Sequence, residues 1–142
     1  MMNKLLLIAL LSNPITPNSK YTPGVIYPSA DKEKICTVGY AYKTRNVSKS
    51  KKNFVFELYG IDKNSDKFEI DHLISLELGG SNDIKNLWPE SYTTPKWNAR
   101  EKDKLENKMH SMVCSGILDL KTAQDEISSD WISAYKKYIG DK

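Results

Sequence analysis

The pattern of apolar and polar positions is most regular in the middle of the chain, over residues 68–78 (FEIDHLISLEL). Apolar side chains alternate with polar ones there, and His72 falls among the apolar positions of the alternation. A period of two residues predicts a half-buried β-strand, and the paired Gly79 and Gly80 that follow predict its end. Within such a strand His72 would be an ordinary core histidine and Asp71 an ordinary surface carboxylate.

Two helices are predicted in the C-terminal third of the chain. The first begins at Thr94-Pro95, because threonine caps helices well and proline suits the first helical position. It runs to Gly116 with apolar residues at helical spacing, namely Leu105, Met109, Met112 and Val113. The second is predicted over about residues 121–138, where one face carries Ala123, Ile127, Trp131, Ala134, Tyr135 and Tyr138. A short loop joins them, which predicts an antiparallel pair whose aromatic stripe packs in the core.

The N-terminal part of the chain is predicted to be irregular or short-helical. After a basic start, residues 5–11 (LLLIALL) form an apolar run that is too short to span a bilayer but typical of a secretory signal peptide. Residues 1–19 are therefore interpreted as a signal peptide and flexible lead-in, and residues 20–142 as a single domain. Such a protein is exported to the periplasm or secreted. If residues 1–12 are instead a frayed segment or a strand packed on the core, the protein is cytoplasmic.

A basic stretch occupies residues 43–52 (KTRNVSKSKK), with five basic groups and no acidic one. A run of this length is as typical of a solvated loop or helix start as of a phosphate-binding surface. Residues 53–59 (NFVFELY) follow, and Gly60 comes directly after them. They predict a helix that begins near Ser48, with serine as its cap, or else a short strand.

Composition narrows the classes of protein that fit this pattern. The chain has 142 residues, of which 39% are hydrophobic and 27% charged, enough for one compact core and too polar for a membrane bundle. Its net charge of +3 is too small to indicate a nucleic-acid partner by itself. With two histidines and two cysteines, the chain has no four-cysteine zinc site, and any catalytic imidazole is His72 or His110.

The two cysteines, Cys36 and Cys114, lie 78 positions apart. If the protein is exported, we expect them to form a disulfide, which on the loop-entropy model constrains the unfolded chain by roughly 4 kcal/mol. If it is not exported, two buried free thiols are the alternative, since cysteine is among the most buried residue types.

The Asp71-His72 pair is followed by asparagines at regular distances. Asn86 lies 14 positions beyond His72, within Asn-Leu-Trp-Pro, and Asn98 lies 12 positions further, near the predicted helix start. In this order the chain resembles the HNH endonucleases of the ββα-metal (His-Me finger) group. More narrowly, it is similar to small bacterial and phage proteins with an HNH-like core, which share DHLISLELGG, NLWPE and a tail with KDKLEN, VCSG, AQ, DW and AY. The resemblance spans roughly residues 20–139.

This resemblance implies an α+β fold with a ββα-metal core, in which the first strand shortens to about residues 68–72 and a second lies near residues 86–89. It implies a metal-dependent endonuclease in which His72 is the general base and Asn86 bonds backbone groups of the loop. The metal would be held by two protein ligands, the Asp71 carboxylate and the side-chain oxygen of Asn98.

The implied cofactor is a divalent metal, Mg²⁺ or else Mn²⁺, because these hard cations prefer oxygen ligands and leave positions for water and phosphate. The alternative for Asn98 is an ordinary polar residue of the first helical turn. Other oxygen ligands remain open, namely Glu77, Glu90 and Glu101.

The implied partner is nucleic acid, DNA in preference to RNA, with no membrane contact in the mature form. Arginine suits bidentate phosphate contacts, and Arg45 and Arg100 are the only two arginines in the chain. Together with Lys102 they are the candidate phosphate contacts, and a solvated face is the alternative for each. His110 lies roughly 18 Å beyond Asn98 along a helix, so we interpret it as structural. The rival to the nuclease is an exported, non-catalytic nucleic-acid-binding or structural domain that keeps the same fold.

Overall fold

The computed structural model describes residues 15–141, which form an α+β fold with one two-stranded antiparallel sheet and six α-helices. Three helices precede the sheet: α1 (Lys32–Ile35), α2 (Tyr40–Thr44) and α3 (Lys49–Leu58). The strands are β1 (Phe68–His72) and β2 (Leu87–Ser91). Three helices follow the sheet: α4 (Ala99–Cys114), α5 (Leu120–Ser129) and α6 (Trp131–Tyr138).

Strand β1 ends at His72, so the uninterrupted strand over residues 68–78 is wrong and the shorter strand is confirmed. In the antiparallel register Phe68 pairs with Ser91 and His72 with Leu87. The later part of the alternation is a short 3₁₀ turn, Leu76–Leu78, whose two leucines are buried. Both leucines of this turn reach the core without a strand, so the polar-apolar alternation alone misleads here.

The paired glycines close the loop between the strands. Gly79 has a positive φ of 84°, a conformation that glycine adopts without strain. At Gly80 a Cβ would lie 1.7 Å from the Ile74 carbonyl oxygen and 3.0 Å from Asn86 Nδ2. Only glycine therefore allows the loop to fold back on its own start.

Side-chain caps set where several helices begin. Ser48 caps α3 and accepts a hydrogen bond from the backbone N–H of Lys51, so the predicted helix start near Ser48 is confirmed. The predicted start of the next helix at Thr94-Pro95 is wrong, because Asn98 caps α4 and the helix begins at Ala99. The single predicted helix over residues 121–138 is also wrong. Asp130 has an extended backbone that ends α5, and its side chain caps α6, so three helices replace the expected pair.

Two apolar clusters hold the fold together. One joins the C-terminal helices to the loop after β1 and includes Leu78, Leu105, Met109, Ile127 and Trp131. The other packs α3 against the sheet and includes Val55, Phe56, Leu73, Leu87 and Trp88. The aromatic stripe of the C-terminal helices thus lies in the core, as predicted. The loop that follows His72 contributes to both clusters, so its position is fixed on two sides.

A disulfide joins Cys36 to Cys114, with a Cα–Cα distance of 5.8 Å, and confirms the predicted pairing. It ties the end of α1 to the end of α4. Disulfides persist mainly in oxidising environments, so the bridge indicates an oxidising, extracellular compartment. The predicted signal peptide lies almost entirely outside the described residues. No helix within residues 15–141 is long and apolar enough to cross a membrane.

Replacing both cysteines (Cys36→Ser with Cys114→Ser) is expected to lower the free energy of unfolding by about 2–4 kcal/mol, because the unfolded chain regains the freedom of a long loop. Urea denaturation followed by circular dichroism measures this change, and wild type treated with a dithiol reductant is the matched comparison. A difference below about 0.5 kcal/mol would show that the bridge does not limit the unfolded ensemble.

Candidate functional site

His72 is the last residue of β1, and it is 4% exposed. Its Nε2 lies 2.9 Å from the side-chain oxygen of Asn82. Burial lowers the pKa of His72 below its usual value, although the Asn82 hydrogen bond and the nearby Asp71 carboxylate act in the opposite direction. The imidazole is therefore neutral at physiological pH, the state in which one ring nitrogen can accept a proton.

Asn82 is a site residue that the sequence analysis missed. Its Nδ2 donates to the Thr44 carbonyl and to the Tyr27 hydroxyl oxygen, each at 2.8 Å. These partners lie 38 and 55 positions away along the chain. The signal in the sequence is no more than an asparagine just after the paired glycines, and no local pattern connects it to His72.

Asn86 is fully buried, and its side chain is engaged with the loop after His72. Its Nδ2 donates to the carbonyls of Ile74 (3.0 Å) and Ser81 (2.8 Å), and its Oδ1 accepts from the backbone N–H of Ile74 (3.0 Å). These are the backbone contacts expected of Asn86. They close the loop that carries Asn82 and so fix the surroundings of the His72 ring.

Lys102 lies at the centre of the site and is completely buried. Its Nζ donates to Asp71 Oδ2 (2.9 Å), to the His72 carbonyl (2.9 Å) and to Glu106 Oε1 (2.5 Å). Burial alone would lower the pKa of Lys102, but the surrounding carboxylates raise it above its usual value. Lys102 is therefore a permanent internal cation, and its predicted contact with a nucleic-acid phosphate is corrected: an ammonium with no exposure and three partners does not reach a ligand.

Asp71 is only slightly accessible, with 13% of its side chain exposed. Burial by itself raises the pKa of Asp71, but the Lys102 ammonium outweighs it and the net pKa lies below the usual value. Asp71 is accordingly a carboxylate whose charge one buried lysine partly balances.

Four further carboxyl groups surround this pair, namely Glu69, Glu90, Asp103 and Glu106. Burial raises the pKa of Glu106 to about 8, against the lowering effect of Lys102. Burial and the Asp71 charge raise the pKa of Glu90 well above its usual range. Both Glu90 oxygens are buried, and a side-chain hydrogen bond joins Glu90 to Asp71. The cluster therefore places five carboxyl groups around the single Lys102 ammonium, and the raised pKa values favour the protonated, neutral forms of Glu90 and Glu106.

Two sets of these carboxyl groups have oxygens within 4.8 Å of one another, as metal ligands require: Asp71 with Asp103 and Glu106, and Asp71 with Glu69 and Glu90. Both sets contain only oxygen donors, which suit a hard divalent cation. The crowding of carboxyl groups, which raises the pKa values of Glu90 and Glu106, also fits a cation that would take the place of their protons. Of the alternative ligands open from sequence, Glu90 belongs to this cluster, whereas Glu77 and Glu101 belong to neither set.

Asn98 is the N-terminal cap of helix α4. Its Oδ1 accepts from the backbone N–H groups of Arg100 (3.1 Å) and Glu101 (3.2 Å), and its Nδ2 donates to the Thr94 carbonyl (3.1 Å). The oxygen that was expected to bind metal is thus already engaged with the start of α4. The geometry corresponds to the alternative in which Asn98 is a polar residue of the first helical turn.

A polar cavity of about 210 Å³ brings the central residues together. It is lined by Arg45, Glu69, Asp71, His72, Asp103 and Glu106, among others. Arg45 thus enters the site from the basic stretch, whereas Arg100 is exposed and lies outside the lining of this cavity. Of the predicted residues, the structure brings Asp71, His72 and Arg45 to one opening and leaves Asn98 and Arg100 apart from it.

His110, the other histidine, lies beside the disulfide. Its Nε2 is 2.9 Å from the Ile35 carbonyl oxygen and 3.5 Å from Cys114 Sγ. It does not line the cavity that contains His72. Cys36, His110 and Cys114 are also close enough to share a metal, but both sulfurs are joined in the disulfide. His110 is accordingly part of the contact between α4 and the end of α1.

Comparisons of the chain with known proteins do not assign it to a family. No protein-family model, no curated protein and no solved structure matches the chain.

Proposed function

We propose that this protein is a metal-dependent HNH-type endonuclease that hydrolyses phosphodiester bonds of nucleic acid, DNA in preference to RNA, on a ββα-metal core. The observation that carries the proposal is the shared cavity of Asp71, His72 and Arg45. A neutral imidazole, a carboxylate and a guanidinium facing one small polar opening are the groups that phosphodiester hydrolysis uses. The resemblance around Asp71-His72 and Asn86 points to the same reaction.

The side chains divide the work of hydrolysis between them. His72 takes the proton of the attacking water, since it is held neutral at physiological pH. Arg45 binds the phosphate through its planar guanidinium and so sets the position of the scissile bond. Asn86 keeps the loop closed around the imidazole. A divalent metal, Mg²⁺ above all, would supply stabilisation of the charge that develops on the phosphate and leaving oxygen.

The metal-binding residues that we propose are Asp71, Asp103 and Glu106, because this set lines the same cavity as His72. Asn98, the second ligand expected from sequence, is replaced in this proposal by the two carboxylates of α4. Asp103 and Glu106 are three positions apart, which places them on one face of the helix. Lys102 holds Asp71 and Glu106 from the buried side.

Incubation of the purified protein with supercoiled plasmid DNA, with Mg²⁺ or with EDTA, tests the proposed function. We expect nicked and linear products with Mg²⁺ and intact plasmid with EDTA, and slower cleavage of RNA of the same length. If no divalent metal supports cleavage but the protein still retards DNA in a gel, the non-catalytic binding domain is the correct function.

Asp103→Asn is expected to weaken Mn²⁺ binding by about tenfold or more, because it removes one charged oxygen ligand from the site. Asp103 is exposed, so the substitution leaves the core intact. Isothermal titration calorimetry measures the affinity. Asp66→Asn, at another exposed position, is the matched control and should bind Mn²⁺ like wild type. Equal affinities for the two variants would remove Asp103 from the ligand set.

Arg45→Gln is expected to lower kcat/KM for plasmid cleavage by roughly tenfold or more, the value of a charge-assisted hydrogen bond to a phosphate. Arg100→Gln should leave it unchanged, since the Arg100 side chain lies outside the cavity lining. Initial rates over a range of plasmid concentrations provide both values. If Arg100→Gln lowered kcat/KM and Arg45→Gln did not, the phosphate would bind near the start of α4 instead.

A further inference from the structure

The hydrogen bonds of Asn82 determine which nitrogen of His72 carries the proton in the neutral ring. Asn82 Nδ2 faces the Thr44 carbonyl oxygen at 2.8 Å, and a carbonyl oxygen only accepts hydrogen bonds. Asn82 Oδ1 faces the backbone N–H of Asn46 at 3.3 Å, and a backbone N–H only donates. Both contacts independently assign the amide nitrogen and oxygen to the same sides.

This orientation places an acceptor next to the His72 ring. Asn82 Oδ1 lies 2.9 Å from His72 Nε2, and an amide oxygen has no proton to give. In the neutral imidazole Nε2 must then carry the hydrogen, and Nδ1 must carry the free electron pair. His72 Nδ1 makes no hydrogen bond with the described part of the chain, and His72 lines the site cavity.

We infer that Asn82 is a positioning residue that holds His72 in its Nε2–H tautomer and so makes Nδ1 the atom that accepts the proton. The role in catalysis rests on the proposed nuclease function, whereas the tautomer follows from the hydrogen bonds alone. Fixing the tautomer matters because a ring in the other tautomer presents an N–H, not an electron pair, to the attacking water.

Asn82 also connects the imidazole to the segment that carries Arg45. Its partners Thr44 and Asn46 are the two neighbours of Arg45 in the chain. Tyr27 completes the support, since its hydroxyl oxygen accepts from Asn82 Nδ2 at 2.8 Å. Asn82 is 6% exposed, so its amide is largely shielded from water. One amide thus connects the His72 ring to the two chain neighbours of Arg45.

The test is long-range ¹H–¹⁵N NMR of the imidazole rings, at a pH where His72 is neutral. The chain has two histidines, so the spectrum of His110→Gln identifies the His72 signals. We expect wild type to show a single Nε2–H tautomer for His72. A wild-type spectrum with the proton on Nδ1 would overturn the inference, whether or not the protein cleaves DNA. If the spectrum shows the proton on Nε2 but the protein does not cleave DNA, only the proposed function is contradicted.

Two variants test the positioning role. Asn82→Ala should give a mixture of His72 tautomers and lower kcat by about 10- to 100-fold with little change in KM. Asn82→Asp keeps an oxygen acceptor beside Nε2 and should restore the single tautomer. Asn64→Ala, at an exposed asparagine, is the control and should match wild type in both measurements. If Asn82→Ala keeps a single Nε2–H tautomer and wild-type kcat, Asn82 has no positioning role. Should Asn82→Ala not fold, the wild-type and Asn82→Asp spectra still decide the tautomer.

Discussion

His72→Ala is expected to lower the rate of plasmid cleavage by about 10²- to 10⁴-fold, the usual contribution of a positioned general base. The ring is the one imidazole that faces the carboxylate-lined cavity, and its pKa is lowered chiefly by burial, so it is neutral at pH 7. Alanine removes the proposed general base from the cavity. Initial cleavage rates at saturating Mg²⁺ measure the effect, with far-UV circular dichroism to establish that the variant is folded.

His110→Gln is the matched control for this result. His110 contacts the Ile35 carbonyl beside the disulfide and does not line the cavity, so its replacement should leave the cleavage rate unchanged. Cleavage by His72→Ala at the wild-type rate would exclude the imidazole from the reaction. The same loss in both variants would indicate a general effect on folding and not on chemistry.

Lys102→Met is expected to lower the free energy of unfolding by about 3–5 kcal/mol, because removal of one partner leaves buried carboxylates without their cation. The ammonium touches both Asp71 and Glu106 and has no exposure to water that could compensate. Urea denaturation in EDTA measures the change free of any bound metal. We also expect part of the loss to be recovered by adding Asp71→Asn, which removes the carboxylate that Lys102 keeps charged.

Lys104→Met is the control from the same helix. Lys104 pairs with Glu101 at 3.1 Å, but its side chain is 63% exposed, and exposed ion pairs contribute less than about 1 kcal/mol. If Lys102→Met is no more damaging than Lys104→Met, the buried lysine does not balance the carboxyl cluster. A near-neutral effect would then favour a site whose carboxyl groups are already protonated.

Local sequence patterns identified most elements of the fold but not all of their ends. The helix capped by Ser48 follows from capping. Alternation located the first strand but extended it to residue 78, and only the resemblance shortened it to residues 68–72. The start at Asn98 was missed because Thr94-Pro95 offers a similar capping pattern four residues earlier. The break at Asp130 was missed because the apolar spacing continues from Ile127 to Trp131 across it. The side chains of Asn98 and Asp130 bond backbone N–H groups at the first turn, and this local competition decides the helix start.

The candidate site was predictable only where the resemblance or the scarcity of arginine marked its residues. Asp71-His72 and Asn86 were recognised from the resemblance, and they lie where a loop closes over β1. Asp103 and Glu106 were missed, since nothing in α4 marks two of its many charged residues as facing the sheet. Lys102 was assigned to the surface because lysines usually lie there, whereas here three oxygens replace its water.

The sequence by itself predicted the pairing of the two cysteines and, through the resemblance, the α+β fold and the choice of His72 over His110 as the candidate base. These depend on counts and on short spacings, which local physics translates directly into structure. Only the tertiary structure decided what surrounds His72. Its partner Asn82 lies 10 positions away, and the lysine that balances Asp71 lies 31 positions away. Such contacts arise because packing of the C-terminal helices and the N-terminal segment on the loop brings distant polar groups together, and burial then requires each to find a partner.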